Sequence, residues 1–232
     1  MPADCLLCYI SDRSAFDGDE FARRKQLLDN IFEAVHAGVD YIQLREKDLP
    51  TCELESLARE AIALLKHLRT ESPELRTKLL INSRTDVALA IGAHGVHLRS
   101  VDISPSEIKA IWKSSFPAEP LPRDTEELEP VIASSCHTPE DVKKAAEDGA
   151  DFAVFGPVFQ KKESTPTGLN QLREACRVSI PVLALGGITL ENAQSCLEAG
   201  AAGIAAIRLF QENEIREVVQ ELKKPKRQTE ID

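Results

Sequence analysis

No apolar run in this chain approaches the roughly 18 residues needed to cross a bilayer as a helix, which excludes a transmembrane span. The first residues, Met1–Pro2–Ala3–Asp4–Cys5, show no basic stretch followed by an apolar one. No secretory leader is therefore expected, and a cytoplasmic location is. Positive charge is also short. The 28 Lys and Arg stand against 38 Asp and Glu, for a formal net charge of −10. That balance argues against a nucleic-acid or anionic-membrane partner, so an anionic substrate has to find local cations. No Gly-x-Gly-x-x-Gly follows the first strand-like run, which counts against a doubly wound dinucleotide-binding sheet. The six cysteines at 5, 8, 52, 136, 176 and 196 form no double-pair pattern. Cys5-x-x-Cys8 lies on a strand-like run with no second pair, so a zinc site is not expected and the thiols read as reduced.

Apolar residues make up 43% of the 232, enough for one large core. The most informative stretch is Ile180–Pro181–Val182–Leu183–Ala184–Leu185–Gly186–Gly187–Ile188, a nearly unbroken apolar run ending in two glycines. Such a run suits a strand of a parallel sheet buried on both faces. Ala202–Gly203–Ile204–Ala205–Ala206–Ile207 repeats the theme some twenty residues later. Going along the chain, strands are predicted at Leu6–Ile10, Asp40–Leu44, Lys78–Asn82, Gly95–Leu98, Val131–Ser135 and Phe152–Phe155 before these two. Helices are predicted between them, including Glu20–Ala37, Cys52–Leu68, Thr85–Ile91, Gly168–Arg177, Leu190–Ala199 and Glu212–Leu222. Ser104–Pro105 with Glu107, and Thr138–Pro139 with Asp141, carry the cap, first-turn proline and capping-box pattern of helix starts. Eight strand–helix units at this length predict a single (β/α)₈ TIM barrel over 1–232, with an open doubly wound sheet as runner-up. Residues 117–130 hold four prolines and five acids and read as a surface loop insertion, and 223–232 as a polar tail. The phrases His36–Ala37–Gly38–Val39–Asp40, Glu147–Asp148–Gly149–Ala150–Asp151 and Glu198–Ala199–Gly200–Ala201–Ala202 each end a helix on glycine and start a strand. They are expected on the face opposite the active site.

In a barrel, function sits at the C-terminal strand ends. After strand 2, Gln43 and Arg45 share one face, and Lys47 adds a second cation suited to a phosphate or pyrophosphate. Glu46, between two cations, is expected to be ionised and able to move a proton; a solvated loop of local ion pairs explains the same residues. Asn82 can donate to an anion, and Arg84 can pair with Asp86. His97 lies within its strand and reads as a packed core histidine. Asp102 suits Mg²⁺ or a helix cap. His137, beside a helix start, can shuttle a proton, or merely polarise the helix. Cys136 points away from His137, so a Cys–His pair is not expected. Lys161 and Lys162 lie in a hydroxyl-rich stretch that suits an anion-binding lid. Gly186 and Gly187, with Ala206, Ile207 and Arg208 opposite them, suit a phosphate after strands 7 and 8; the glycines equally suit a tight turn.

Five ordered phrases carry a family resemblance: Tyr41–Ile42–Gln43–Leu44–Arg45–Glu46–Lys47, Gly95–Val96–His97–Leu98, Ser135–Cys136–His137–Thr138–Pro139–Glu140, Phe155–Gly156–Pro157–Val158–Phe159 and Ile180 to Ile188. Together they resemble the thiamin-phosphate synthase/TenI superfamily. The resemblance implies a barrel, usually a homo-oligomer, acting on a small phosphorylated pyrimidine or thiazole. The synthase branch joins a hydroxymethylpyrimidine diphosphate to a thiazole phosphate, releasing pyrophosphate with Mg²⁺. The TenI-like branch includes a tautomerase that moves a proton on a carboxythiazole phosphate without metal. By resemblance, Gln43, Arg45, Lys47 and Asn82 hold pyrimidine and pyrophosphate, Ser135 contacts the pyrimidine, and Asp102 is one magnesium aspartate. The second aspartate is Ser83 here, and the Gly–Gln after strand 4 is Arg99–Ser100. The strand 6 loop is short and lacks Thr-x-Thr-Lys, and the expected serine after strand 8 is Arg208. These departures resemble the TenI-like branch, whose proton-transfer pair Glu46 and His137 match. The expectation is therefore a cofactor-free tautomerase. A Mg²⁺-dependent synthase and a non-catalytic phosphate-binding protein are the alternatives.

Overall fold

The computed structural model describes residues 5–115, 129–160 and 165–224. Its eight parallel strands close in sequence order, each bonded to the next and β8 back to β1. They are β1 Leu6–Ile10, β2 Tyr41–Leu44, β3 Lys78–Asn82, β4 Gly95–Leu98, β5 Val131–Cys136, β6 Phe152–Phe155, β7 Val182–Leu185 and β8 Gly203–Ala206. The helices are α1 Glu20–Ala37, α2 Thr51–Glu71, α3 Thr85–Ile91, α4 Pro105–Ser114, α5 Pro139–Glu147, α6 Gly168–Ala175, α7 Leu190–Glu198, α8 Arg208–Gln211 and α9 Ile215–Leu222. The chain is thus a (β/α)₈ barrel, and the open sheet is excluded by closure. None of the described helices is long and apolar enough to cross a membrane.

Two apolar layers follow from strand alternation. Cys8, Ile10, Leu80, Ala133, Phe152, Val154, Leu183 and Ala205 fill the barrel. Residues of the other parity, such as Leu7, Ile42, Ile81 and Ala184, join the helices in the outer core. Both capping boxes expected from sequence are present, at Ser104 with Glu107 and at Thr138 with Asp141.

The glycine-ended phrases do lie at the N-terminal rim, and two of them share a device. Two residues after the glycine, Asp40 accepts the Leu7 N–H at 2.8 Å and Asp151 accepts the Ile132 N–H at 2.7 Å. Gly92–Ala93–His94 does the same with an imidazole: His94 Nδ1 accepts the Leu79 N–H at 3.1 Å. Each side chain thereby satisfies the amide of the second residue of a strand. Burial, reinforced by Arg69, Lys78 and Lys66, pushes His94 down to about 4, which keeps it an acceptor.

Two details depart from the sequence reading. The last helix begins at Ile215, not Glu212, because Arg208–Gln211 forms a separate turn. That turn buries Phe210 against Tyr9, ring centroids 5.6 Å apart, and its Gln211 amide donates to the Asp12 carbonyl at 2.9 Å. Lys223, expected in the polar tail, is instead tied to Asp40 at 3.0 Å and to the Gly38 carbonyl. Residues 225–232 of that tail, and residues 117–128 of the proposed insertion, lie outside the described residues.

Candidate functional site

The inward parity that packs Cys8 and Leu80 also turns Gln43, Asn82, His97 and Ser135 toward the barrel axis, near the C-terminal strand ends. Three of them form one polar chain. Gln43 Nε2 donates to His97 Nδ1, and His97 Nε2 lies 2.8 Å from Ser135 Oγ. Gln43 and His97 are buried, while Ser135 is partly open. Burial, with Arg45 nearby, pushes His97 down to about 4 against a smaller opposing effect of Asp102. The ring is therefore neutral near pH 7. The expectation of a packed histidine is right about burial, but this histidine also links two candidate ligand contacts. A polar residue at the last inward position of a strand is the signal that marks it in the sequence.

Arg45 continues the inward parity of Gln43, and its guanidinium has no hydrogen bond or ion pair among the described residues. Lys47 is exposed at the rim and Asn82 is half-buried. Alternation that turns Gln43 and Arg45 inward sends Glu46 the other way. Its side chain is 1% exposed and is held from the β1 side. Ser11 Oγ donates to Oε1, while the Arg13 backbone N–H, at 3.0 Å, and the Arg13 guanidinium, at 3.2 Å, donate to Oε2. Arg13 also grips Asp48 in a fork at 2.7 and 2.9 Å and Glu20 at 2.7 Å. Asp48, through this fork, raises the Arg13 pKa, and Arg13 in turn lowers that of Asp48. The expected partners of Glu46 are thus corrected: Arg13 and Ser11 hold it, not the Arg45 side chain. Arg13 was missed because it sits on a short 3₁₀ turn, Arg13–Ala15, with no periodic signature.

Ser83 follows β3 at φ 58°, in the left-handed region that a serine seldom adopts. It lies beside Asp102. Burial disfavours ionised Asp102, but hydrogen bonds from the Arg99 side chain and backbone outweigh it, and the pKa falls. Asp102 accepts the Arg99 backbone N–H at 2.8 Å and pairs with its guanidinium at 2.9 Å. A cavity of about 280 Å³ opens beside Asp102 and Ser135 and passes Arg99, Glu107 and Lys144 between α4 and α5. The described residues contain no cluster of three or more His, Cys, Asp or Glu able to hold a metal. One carboxylate already neutralised by an arginine, beside a neutral hydroxyl, does not fit a two-carboxylate Mg²⁺ site.

His137 is exposed after β5, and its Nδ1–H donates to the Gly156 carbonyl at 2.5 Å. Cys136 turns into the outer core, where burial pushes its thiol up to about 12. The structure does not bring Glu46 and His137 to a common ligand position, since one carboxylate is spent behind the strand and the other side chain stands at the rim. After β7, Gly186 and Gly187 take φ 98° and 66°. A Cβ on Gly186 would lie 2.5 Å from Pro157, and one on Gly187 2.9 Å from Phe159. The tight-turn reading therefore suffices for both glycines. The N–H groups of Gly187 and Ile188 find no acceptor among the described residues. Ala206 ends β8, Ile207 caps α8, and Arg208 is exposed as the first residue of that short helix. Its guanidinium makes no hydrogen bond or ion pair among the described residues. Lys161 and Lys162 lie outside them.

Comparison with known proteins adds independent findings. The family model described as thiamine monophosphate synthase matches residues 8–116 and 120–210. A thiamine-phosphate synthase of Alkaliphilus oremlandii is 32% identical over 226 residues, covering 95% of each chain. One from Syntrophomonas wolfei is 35% identical over 212 residues, covering 88% of each. The solved structure of a thiamine phosphate pyrophosphorylase from Pyrococcus furiosus superposes with a TM-score of 0.73 at 28% identity, covering 96% of both chains.

Proposed function

This chain belongs to the thiamine monophosphate synthase family, and from that premise we propose that it joins a hydroxymethylpyrimidine diphosphate to a thiazole phosphate with release of pyrophosphate. The observation that carries this reading is the Gln43–His97–Ser135 chain with Arg45 beside it. It is a hydrogen-bonding floor under a cationic rim, suited to a flat polar heterocycle that bears a diphosphate. The synthase names of the relatives support the same reading.

In this reading Gln43 and Ser135 hold the ring edge, and Arg45, Lys47 and Asn82 hold the diphosphate. The methylene C–O bond breaks, pyrophosphate leaves with the bonding pair, and the thiazole nitrogen forms the new C–N bond. Cations at the rim stabilise the charge that develops on the leaving group. The thiazole phosphate is assigned to the amides of Gly187 and Ile188 after β7 and to the turn after β8, with Arg208, Lys161 and Lys162 as candidate sources of positive charge. This follows the common phosphate position of barrels. The donor set at Asp102 and Ser83 does not form the two-carboxylate site that Mg²⁺ would need. A homo-oligomer is part of the proposal and is checked by light scattering.

The tautomerase reading loses ground on one observation: Glu46 is locked against Arg13 and Ser11 and cannot meet a ligand across from His137. The deciding experiment offers both substrate sets with and without EDTA. Thiamin phosphate and pyrophosphate are the expected products, with little effect of EDTA. Tautomerisation of a carboxythiazole phosphate without condensation would replace the synthase reading, and phosphate-ligand binding without any turnover would make the chain a binding protein.

A further inference from the structure

We propose that His97 sets the donor–acceptor polarity of Gln43 and Ser135 together, and thereby selects an amidine edge over the lactam edge of the matching oxo compound. An amidine edge is an exocyclic N–H beside a bare ring nitrogen. The inference deepens the synthase reading above and rests on it for the identity of the heterocycle.

A neutral imidazole carries one donor nitrogen and one acceptor nitrogen. His97 is neutral because it is buried, with its pKa near 4. Whichever nitrogen faces Gln43 as acceptor, the other must face Ser135 as donor. Gln43 donates through Nε2 to Nδ1, so Nε2–H of His97 donates to Ser135 Oγ across 2.8 Å. Two groups are then left for a ligand. Gln43 Oε1 has no partner among the described residues and is an acceptor. The Ser135 hydroxyl, already accepting from His97, keeps its proton to donate. That pair matches an aminopyrimidine, whose amino N–H meets Oε1 and whose ring nitrogen meets the hydroxyl.

The opposite tautomer reverses both groups at once. Gln43 would then present N–H and Ser135 a lone pair, which suits C=O beside a ring N–H. Intermediate states are costly, since one buried polar group would face another of its own kind. The histidine thus couples the two contacts, and neither can adapt to an oxo ligand alone. His97 is in this sense a positioning residue that acts through Gln43 and Ser135.

The test measures equilibrium binding of the aminopyrimidine methyl diphosphate and of its 4-oxo analogue by calorimetry, without the thiazole partner. The wild-type protein should favour the amino ligand by roughly 10⁴–10⁵-fold, the scale of sites built to hydrogen-bond a substrate N–H. In His97→Leu the Gln43 amide is free to turn, and the preference should fall to within about tenfold. Nitrogen-15 NMR of the wild-type ring should show the Nε2–H tautomer, which decides the matter should the leucine variant fail to fold. Equal wild-type affinities, an unchanged preference in the variant, or an Nδ1–H tautomer would each overturn the proposal. A preference for the amino ligand in a protein that makes no thiamin phosphate would sink the synthase reading and leave this one standing.

Discussion

The barrel mouth has two unlike halves. From β2 to β5 the chain meets it with side chains: Gln43, Arg45, Asn82, His97, Asp102 and Ser135. From β6 to β8 it meets it with backbone, at Gly156, Gly186, Gly187 and Ala206. The first half is a hydrogen-bonded and charged surface whose chemistry changes with each residue. The second is a packed turn whose amides are set by φ angles and by contact with Pro157 and Phe159. The difference predicts different failures. Substitutions in the side-chain half should cost binding and rate at constant stability, and substitutions in the backbone half should cost stability first.

Arg45→Ala should show the largest effect. Removing an unpaired cation aimed at developing charge costs about 10²–10³-fold in kcat/KM. The melting temperature should hardly move, because the guanidinium makes no hydrogen bond or ion pair among the described residues. A fall in Tm as large as that of a core variant would dissolve the contrast between the halves.

Gly187→Val tests the other half. A branched side chain at φ 66°, pressed on Phe159, should cost about 1–3 kcal/mol. At this chain length that is roughly 2–4 °C in Tm per kcal/mol. Thiazole phosphate affinity, measured well below the transition, tells whether the amides also serve the ligand.

Glu46→Gln sharpens the comparison at its boundary. The buried carboxylate takes hydrogen bonds from Ser11 and Arg13, so the variant should lose about 1–3 kcal/mol of stability. Turnover of the folded enzyme should drop less than tenfold, whereas a proton-transfer group would lose about 10²–10⁴-fold. A rate loss in that range at unchanged Tm would restore Glu46 to the chemistry.

Ser83→Asp should give the smallest change. The position already has the left-handed backbone that aspartate tolerates, and it faces Asp102. A second carboxylate should raise Mg²⁺ affinity by about tenfold, since the ion favours hard oxygen donors beside phosphate. Titration of Mg²⁺ in the presence of pyrophosphate reads it directly, and no gain would mean that the Arg99–Asp102 pair excludes the ion.

Much of the scaffold was legible beforehand. The limits of α1, Glu20–Ala37, coincide with the periodic run closed by Gly38, and both Ser/Thr–Pro helix starts form capping boxes. The strand ends that carry Gln43, Arg45, Asn82 and Ser135 follow from the same alternation. Less legible were features made by contacts between distant segments. Glu46 looked like a rim carboxylate because its neighbours in the chain are cations, yet parity sends it to Arg13, 33 residues away. The chain after strand 8 read as the start of one last helix, yet Arg208–Gln211 forms a separate turn anchored by Phe210 on Tyr9.

Composition and pattern alone determined that this chain is an acidic eight-unit barrel with a polar cluster after its second strand and a glycine turn after its seventh. Those properties are local: side-chain period, caps and turn residues act within a few positions of one another. Only the tertiary structure decided which polar groups are spent on the fold and which face a ligand. Closure of the barrel sets Gln43, His97 and Ser135 in one hydrogen-bonded chain from strands 54 and 38 residues apart, and it turns Glu46 out of the mouth. Hydrogen bonds and burial depend on distance in space, and distance along the chain does not encode it.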